Sequence, residues 1–132
     1  MANVVHHIEL WTRDLGATGA AFHWLFTELG WREDTAGGWS NGRIWQHPSG
    51  VYVVLEASAA ITGPQNRHHA GLNHLALRVG SRADLDHLRQ LCGDRGWAEL
   101  FPERYPHAGG PTHTALFIEN AEGFEIELVA DE

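Results

Sequence analysis

The feature that most limits the fold of this 132-residue chain is that it carries one pattern twice. "HHIELW" at 6–11 is answered by "LNHLAL" at 72–77, and each places a histidine (His7, His74) in a run that alternates large apolar residues with others. "ELGWRE" at 28–33 returns as "DRGWAE" at 94–99, and "PSGVYVVLEA" at 48–57 returns as "AEGFEIELVA" at 121–130. Landmarks that recur in one order at matching distances are the mark of a tandem module. The chain is therefore expected to form a single domain of two repeats, about 1–57 and 72–132, joined by the linker "SAAITGPQNRHHAG" at 58–71.

Each half reads as strand, helix and three strands. The first strand spans about Val4 to Thr12, and Asp14 caps a helix whose Leu15, Phe22, Leu25 and Leu29 lie near one face before Gly30 ends it. In the second half Leu72 to Val79 is the strand, Ser81 with Asp84 resembles a capping box, and Gly96 is the stop. Trp31 and Trp97 open the next strands. The remaining pairs are Arg43 to His47 with Val51 to Ala57 around "HPSG", and Thr112 to Glu119 with Gly123 to Ala130 around "NAEG". The expected fold class is α+β, two tandem βαβββ modules.

Composition narrows the chemistry. At 43% hydrophobic, the chain has enough apolar material for a core without covalent staples. Its single cysteine excludes an internal disulfide; Cys92 falls among Leu85, Leu88 and Leu91 at helical spacing and reads as a small buried hydrophobe. Together with the lack of a leader in "MANVVHHIELW" or of a membrane-length apolar run, this points to a soluble cytoplasmic protein. The net charge of −8, with no basic stripe, argues against nucleic acid and anionic membranes and leaves a small molecule as the expected partner.

Side chains alternate between the two faces of a strand. In the first strand Val4, Ile8 and Leu10 share the helix-covered face with His6, leaving His7, Glu9 and Trp11 opposite. Leu75, Leu77 and Val79 likewise leave His74, Ala76 and Arg78; Phe124, Ile126 and Leu128 leave Glu125 and Glu127; Val51, Val53 and Leu55 leave Tyr52, Val54 and Glu56. Carboxylates inside strands are disfavoured and costly to bury unpaired, and a divalent cation removes that cost. Two imidazoles with two carboxylates suit Zn, Ni, Fe(II), Mn or Co and leave positions open for substrate oxygens.

These residues resemble the vicinal oxygen chelate superfamily, which includes glyoxalases, bleomycin resistance proteins and extradiol dioxygenases, over essentially the whole chain. The parts that carry the resemblance are "HHIELWTRD", "VVLEAS", "GLNHLALRV" and "GFEIELV". It implies that each module curls into half of an open barrel, with one divalent metal ion in the cleft. The ligand positions of glyoxalase I fall on His7, Glu56, His74 and Glu127. One departure stands out: Glu127 is four residues beyond Gly123, whereas four beyond Gly50 is Val54, and Glu56 lies two further on. Without Glu56 the set becomes His7, His74 and Glu127, which resembles the extradiol dioxygenase triad.

The resemblance implies a lyase or isomerase of glyoxalase type in which the ion stabilises an enediolate and Glu56 or Glu127 shuttles the proton. An Fe(II) extradiol-type dioxygenase and a metal-free, antibiotic-sequestering protein are the alternatives, and a homodimer is expected. In "ERYPHAGGPTH" at 103–113, His113 is a candidate general base or substitute ligand and His107 or Tyr105 a candidate substrate contact, against the alternative of a solvated turn. Trp11, Trp45, Tyr52 and Phe117 are candidates to line the cleft, while Trp24, Trp31 and Trp97 read as core and His68 and His69 as linker. Arg43 and Arg78 are either carboxylate binders or salt-bridge partners.

Overall fold

Alternating apolar residues only become a buried face when neighbouring strands fix their register, and here each half uses its first and last strands for that purpose. The structure is a computed structural model and describes residues 3–131. Met1, Ala2 and Glu132, the outer ends of the two repeats as read from sequence, lie outside these residues. The chain divides into two units, 1–65 and 66–132, so the division falls inside the expected linker.

In the first unit β1 (His7–Trp11) is followed by α1 (Leu15–Glu28), β2 (Arg32–Glu33), β3 (Gly42–Gln46) and β4 (Tyr52–Glu56), and the sheet order is β1-β4-β3-β2. β1 runs parallel to β4, and β3 is antiparallel to both β4 and β2. The Asp14 side chain accepts from the Ala17 amide and starts α1, which buries Thr18, Ala21, Phe22, Leu25 and Phe26. Gly30 follows with φ 83°, a left-handed turn that suits glycine. The core beneath α1 adds Leu10, Trp45, Val53 and Leu55, each at most 6% exposed.

Trp45 departs from the expectation of a lining residue. It is fully buried, because the register sets it opposite Val53 on the helix-covered face, 5.4 Å from the ring of Phe26. Its indole N–H donates to His23 Nδ1 at 3.1 Å. Trp24, expected in the core, is only half-buried because it lies off the face that carries Phe22 and Phe26. Arg43 lies over the Trp45 ring and donates twice to Glu33, at 2.9 and 2.8 Å, so the salt-bridge reading holds for it.

The second unit repeats the plan with β5 (Leu75–Gly80), α2 (Arg82–Leu91), β6 (Trp97–Leu100), β7 (Ala115–Asn120) and β8 (Glu125–Ala130), in the order β5-β8-β7-β6. Ser81 and Asp84 form the expected capping box. Leu85, Leu88, Cys92 and Trp97 pack with Leu116, Ile118, Ile126 and Leu128, all below 5% exposed. Burial raises the Cys92 thiol pKa, in keeping with a packing role. Gly96, at φ 92°, closes the 3-10 turn that extends α2. The two βαβββ modules give the α+β vicinal oxygen chelate fold. Among the described residues no helix is long and apolar enough to cross a membrane.

The Glu33–Arg43 pair gives a test of this packing. The guanidinium hydrogen bond holds the Glu33 carboxyl below its ordinary value, so its stabilising effect is present above the ordinary carboxylate range and is lost as pH falls through the lowered value. Glu33→Gln is expected to cost about 1 kcal/mol at pH 7, with the difference closing in strong acid. Urea unfolding at the two pH values measures both.

Candidate functional site

The β8 sequence "EIELVA" sends Ile126 and Leu128 into the core and Glu125 and Glu127 to the opposite face. Both carboxylates are nonetheless enclosed, 9% and 7% exposed, and each is satisfied differently. Glu125 accepts from Arg67 Nε at 2.9 Å, and the same guanidinium reaches Glu119 at 2.7 Å and the Gly123 carbonyl at 3.2 Å. Sequence reading placed Arg67 in a linker. Its function as an anchor depends on two glutamates more than fifty residues away, which no local pattern shows.

Glu127 is held by histidines. The register puts it between Ala76 of β5 and Phe117 of β7. Its Oε1 lies 3.0 Å from Nε2 of His74, which immediately precedes β5, and its Oε2 meets Nε2 of His113, from the loop entering β7. Phe117 stands edge-on to His74 at 6.0 Å, and Phe101 edge-on to Phe117 at 5.8 Å. Phe101 is 38% exposed and takes a left-handed backbone conformation, φ 55°, which a bulky residue rarely adopts. The sequence offered His113 only as an option, and Phe101 carried no sequence signal at all.

The loop that brings His113 is fastened to α2. Tyr105 donates its hydroxyl to Asp86 at 2.6 Å, and its ring lies 4.0 Å from the Arg89 guanidinium and 5.4 Å from that of Arg82. Burial, reinforced by Asp86, pushes the Tyr105 hydroxyl up to about 12. Tyr105 thus docks the loop onto α2. His107 lies with its Nδ1 3.2 Å from the His113 carbonyl, and Arg78 pairs with Asp131 at 3.1 Å.

The first unit is arranged differently. His7 is opposite Tyr52, its ring stacked on the tyrosine ring at 4.8 Å, with its Nδ1 2.8 Å from that of His6. Glu56 is opposite Trp11, at the far end of the same strand pairing, so β1 and β4 do not bring His7 and Glu56 together. Glu56 meets Glu9 instead, and the hydrogen bond with that second carboxyl raises the Glu56 pKa. Glu9 in turn accepts from Trp11 Nε1 at 2.7 Å. The place that Glu127 takes in the second unit, opposite the residue two beyond the histidine, is taken here by the buried Val54.

The residue types at Glu127 suit a divalent ion: two imidazole nitrogens and a carboxylate form a mixed N/O donor set. Both nitrogens of His74 face oxygens, Nε2 towards Glu127 and Nδ1 towards Asn73 Oδ1 at 2.7 Å. An imidazolium satisfies that, and so does a neutral ring that shares its Nε2 lone pair with a cation held by Glu127. The present arrangement is a hydrogen-bonded row with the carboxylate in the centre. Among the described residues, no three His, Cys, Asp or Glu side chains are grouped so as to hold a metal ion.

Two βαβββ modules, with histidines at the first strand and glutamates on the last, define the class of vicinal oxygen chelate proteins. The sequence profile described as the Glyoxalase/Bleomycin resistance protein/Dioxygenase superfamily matches residues 6–117, and the chain belongs to that superfamily. It is 35% identical over 127 residues to the uncharacterized protein YqjT of Bacillus subtilis strain 168, covering 96% of this chain and 98% of that one. A candidate glyoxalase of known structure from Bacillus halodurans is 35% identical, with a TM-score of 0.88 over 97% of this chain and 96% of that one. The genomically encoded fosfomycin resistance protein FosX of Listeria monocytogenes shares the fold at 18% identity, with a TM-score of 0.66 over 100% of this chain and 94% of that one.

Gly109 gives a direct handle on the row. A Cβ at this position would lie 2.6 Å from His113 Cδ2, so Gly109→Ala is expected to push the imidazole off Glu127. Glu127 keeps its bond to His74 and the His113 side chain is 41% exposed, so stability should fall by about 1 to 2 kcal/mol. A crystal structure of the variant, with thermal unfolding, checks both parts.

Proposed function

We propose that this chain is a divalent-metal-dependent enzyme of glyoxalase type, a lyase or isomerase acting on a small molecule with oxygens on adjacent carbons. The observation that carries the reading is the buried Glu127 carboxylate between the Nε2 atoms of His74 and His113. His74 and Glu127 would hold the ion, and the repeat assigns His7 the same role in the first unit, with Glu56 as the further carboxylate. Zn, Ni, Fe(II), Mn or Co would supply a Lewis acid for the substrate oxygens.

The side chains themselves supply the proton chemistry. His113, aligned through Nε2 by Glu127, takes a proton from the substrate carbon next to the carbonyl and returns it to the neighbouring carbon. The Glu127 carboxylate offsets the positive charge that forms on that ring. Glu56, raised by Glu9, is the carboxyl of the first unit that the superfamily resemblance puts forward as a proton carrier. Phe117 and the exposed Phe101 offer an apolar surface beside His74 for the rest of the substrate. The superfamily resemblance supports a homodimer as the working form.

A second reading takes the same row another way. In it the His74–Glu127–His113 row satisfies the carboxylate by hydrogen bonds, as a metal-free small-molecule-binding protein would need.

Metal content after separate loading with Zn, Ni, Fe(II), Mn and Co separates the two readings. The metal reading expects about one ion per site, lost in His74→Ala and Glu127→Ala and lowered in His7→Ala. His113→Ala should keep the ion and lower turnover by about 10²- to 10⁴-fold. Absence of any bound ion under all five conditions would sink the enzyme reading in favour of sequestration.

A further inference from the structure

We propose that Asn73 is a positioning residue that fixes which nitrogen of His74 is presented to Glu127, an inference that rests on the metal reading for its purpose but not for its geometry. Asn73 Nδ2 donates to the Arg67 carbonyl at 3.0 Å, which fixes the amide the other way round from His74 and leaves Oδ1 as the atom 2.7 Å from His74 Nδ1. An amide oxygen can only accept, so Nδ1 must carry the hydrogen. The other nitrogen, Nε2, is then the one aimed at Glu127 Oε1.

The chain of support goes further back. The Arg67 side chain is locked by Glu119, Glu125 and the Gly123 carbonyl, so the acceptor for Asn73 sits on a fixed piece of backbone. The second strand glutamate, Glu125, thereby gains a purpose that the catalytic reading leaves without one. It anchors Arg67, Arg67 orients Asn73, and Asn73 holds a hydrogen on Nδ1 of His74. On the opposite side the Phe117 ring limits the tilt of the imidazole from its edge. Neither end of this relay touches the reacting atoms, so Asn73 acts only through His74.

The test compares wild type, Asn73→Ala, Asn73→Leu, Asn73→Asp and His74→Ala. Two readouts are taken: zinc affinity by competition titration, and the ¹⁵N shifts of the His74 ring nitrogens in metal-free protein. Asn73→Ala and Asn73→Leu remove the acceptor and are expected to weaken zinc about 10- to 100-fold and to change the Nδ1 signal. Asn73→Asp keeps an oxygen at Nδ1 but loses the bond to the Arg67 carbonyl, so it is expected to lose less zinc affinity than Asn73→Ala. Leucine matches asparagine in size, so it answers the question if the alanine variant folds poorly. Wild-type zinc affinity in both acceptor-free variants, with zinc lost in His74→Ala, overturns the role of Asn73 and leaves the metal reading intact. Zinc retained in His74→Ala overturns the metal reading, and unchanged ring nitrogen signals in Asn73→Ala and Asn73→Leu overturn the positioning role independently of any ion.

Discussion

A carboxylate enclosed on a central strand must have partners, and the second unit is arranged around that requirement. β8 lies between β5 and β7 and carries two such groups on one face. Leaving either unpaired would cost several kcal/mol, enough to consume much of the stability of a domain this size. Arg67 answers one and a pair of histidines answers the other. The loop fastened by Tyr105 to Asp86 exists in its present course because His113 has to arrive at Glu127 from the side opposite His74. Structural necessity and candidate chemistry thus coincide on one oxygen pair.

The two halves have kept their architecture while dividing their chemistry. Both pair the first strand with the last in parallel, with His7 opening the pairing in the first unit and His74 just ahead of it in the second. In the first unit a valine occupies the position of the buried glutamate, and the carboxylate has moved one pleat along to sit against Glu9. A step of two residues keeps a side chain on the same face and changes only its neighbours. Tyr52 then takes the space beside His7, and the first unit's histidine stacks on an aromatic ring where the second unit's meets an acid.

Much of this was legible in the sequence. The repeat gave two modules, period-two alternation gave the faces, and the cap at Asp14, the Ser81–Asp84 box and the glycines at 30 and 96 marked helix ends that the structure shares. The spacing from the turn glycines already showed Glu56 out of step with Glu127. The failures have a common cause. Placing Trp45 required the register of β3 against β4, Tyr105 required a partner on α2, and Arg67 required two glutamates beyond the histidine strand. Each depends on pairing across long separations, which periodicity within a segment does not encode. The union of His74, Glu127 and His113 was half visible: parity put the first two on one face, but the course of the loop decided the third.

The parallel pairing of first strand to last has a consequence for how such a unit comes into being. Among the described residues β5 has β8 as its one strand partner in the sheet, so its backbone ladder waits for the final segment of the module. Pairings of such high sequence separation are slow to form because closing a long loop costs chain entropy. On a ribosome, the histidine strand of each module emerges early and waits for the strand that carries the acid. The site therefore lies on the pairing of its sheet that closes the longest loop, where the entropy cost of bringing two strands together is greatest.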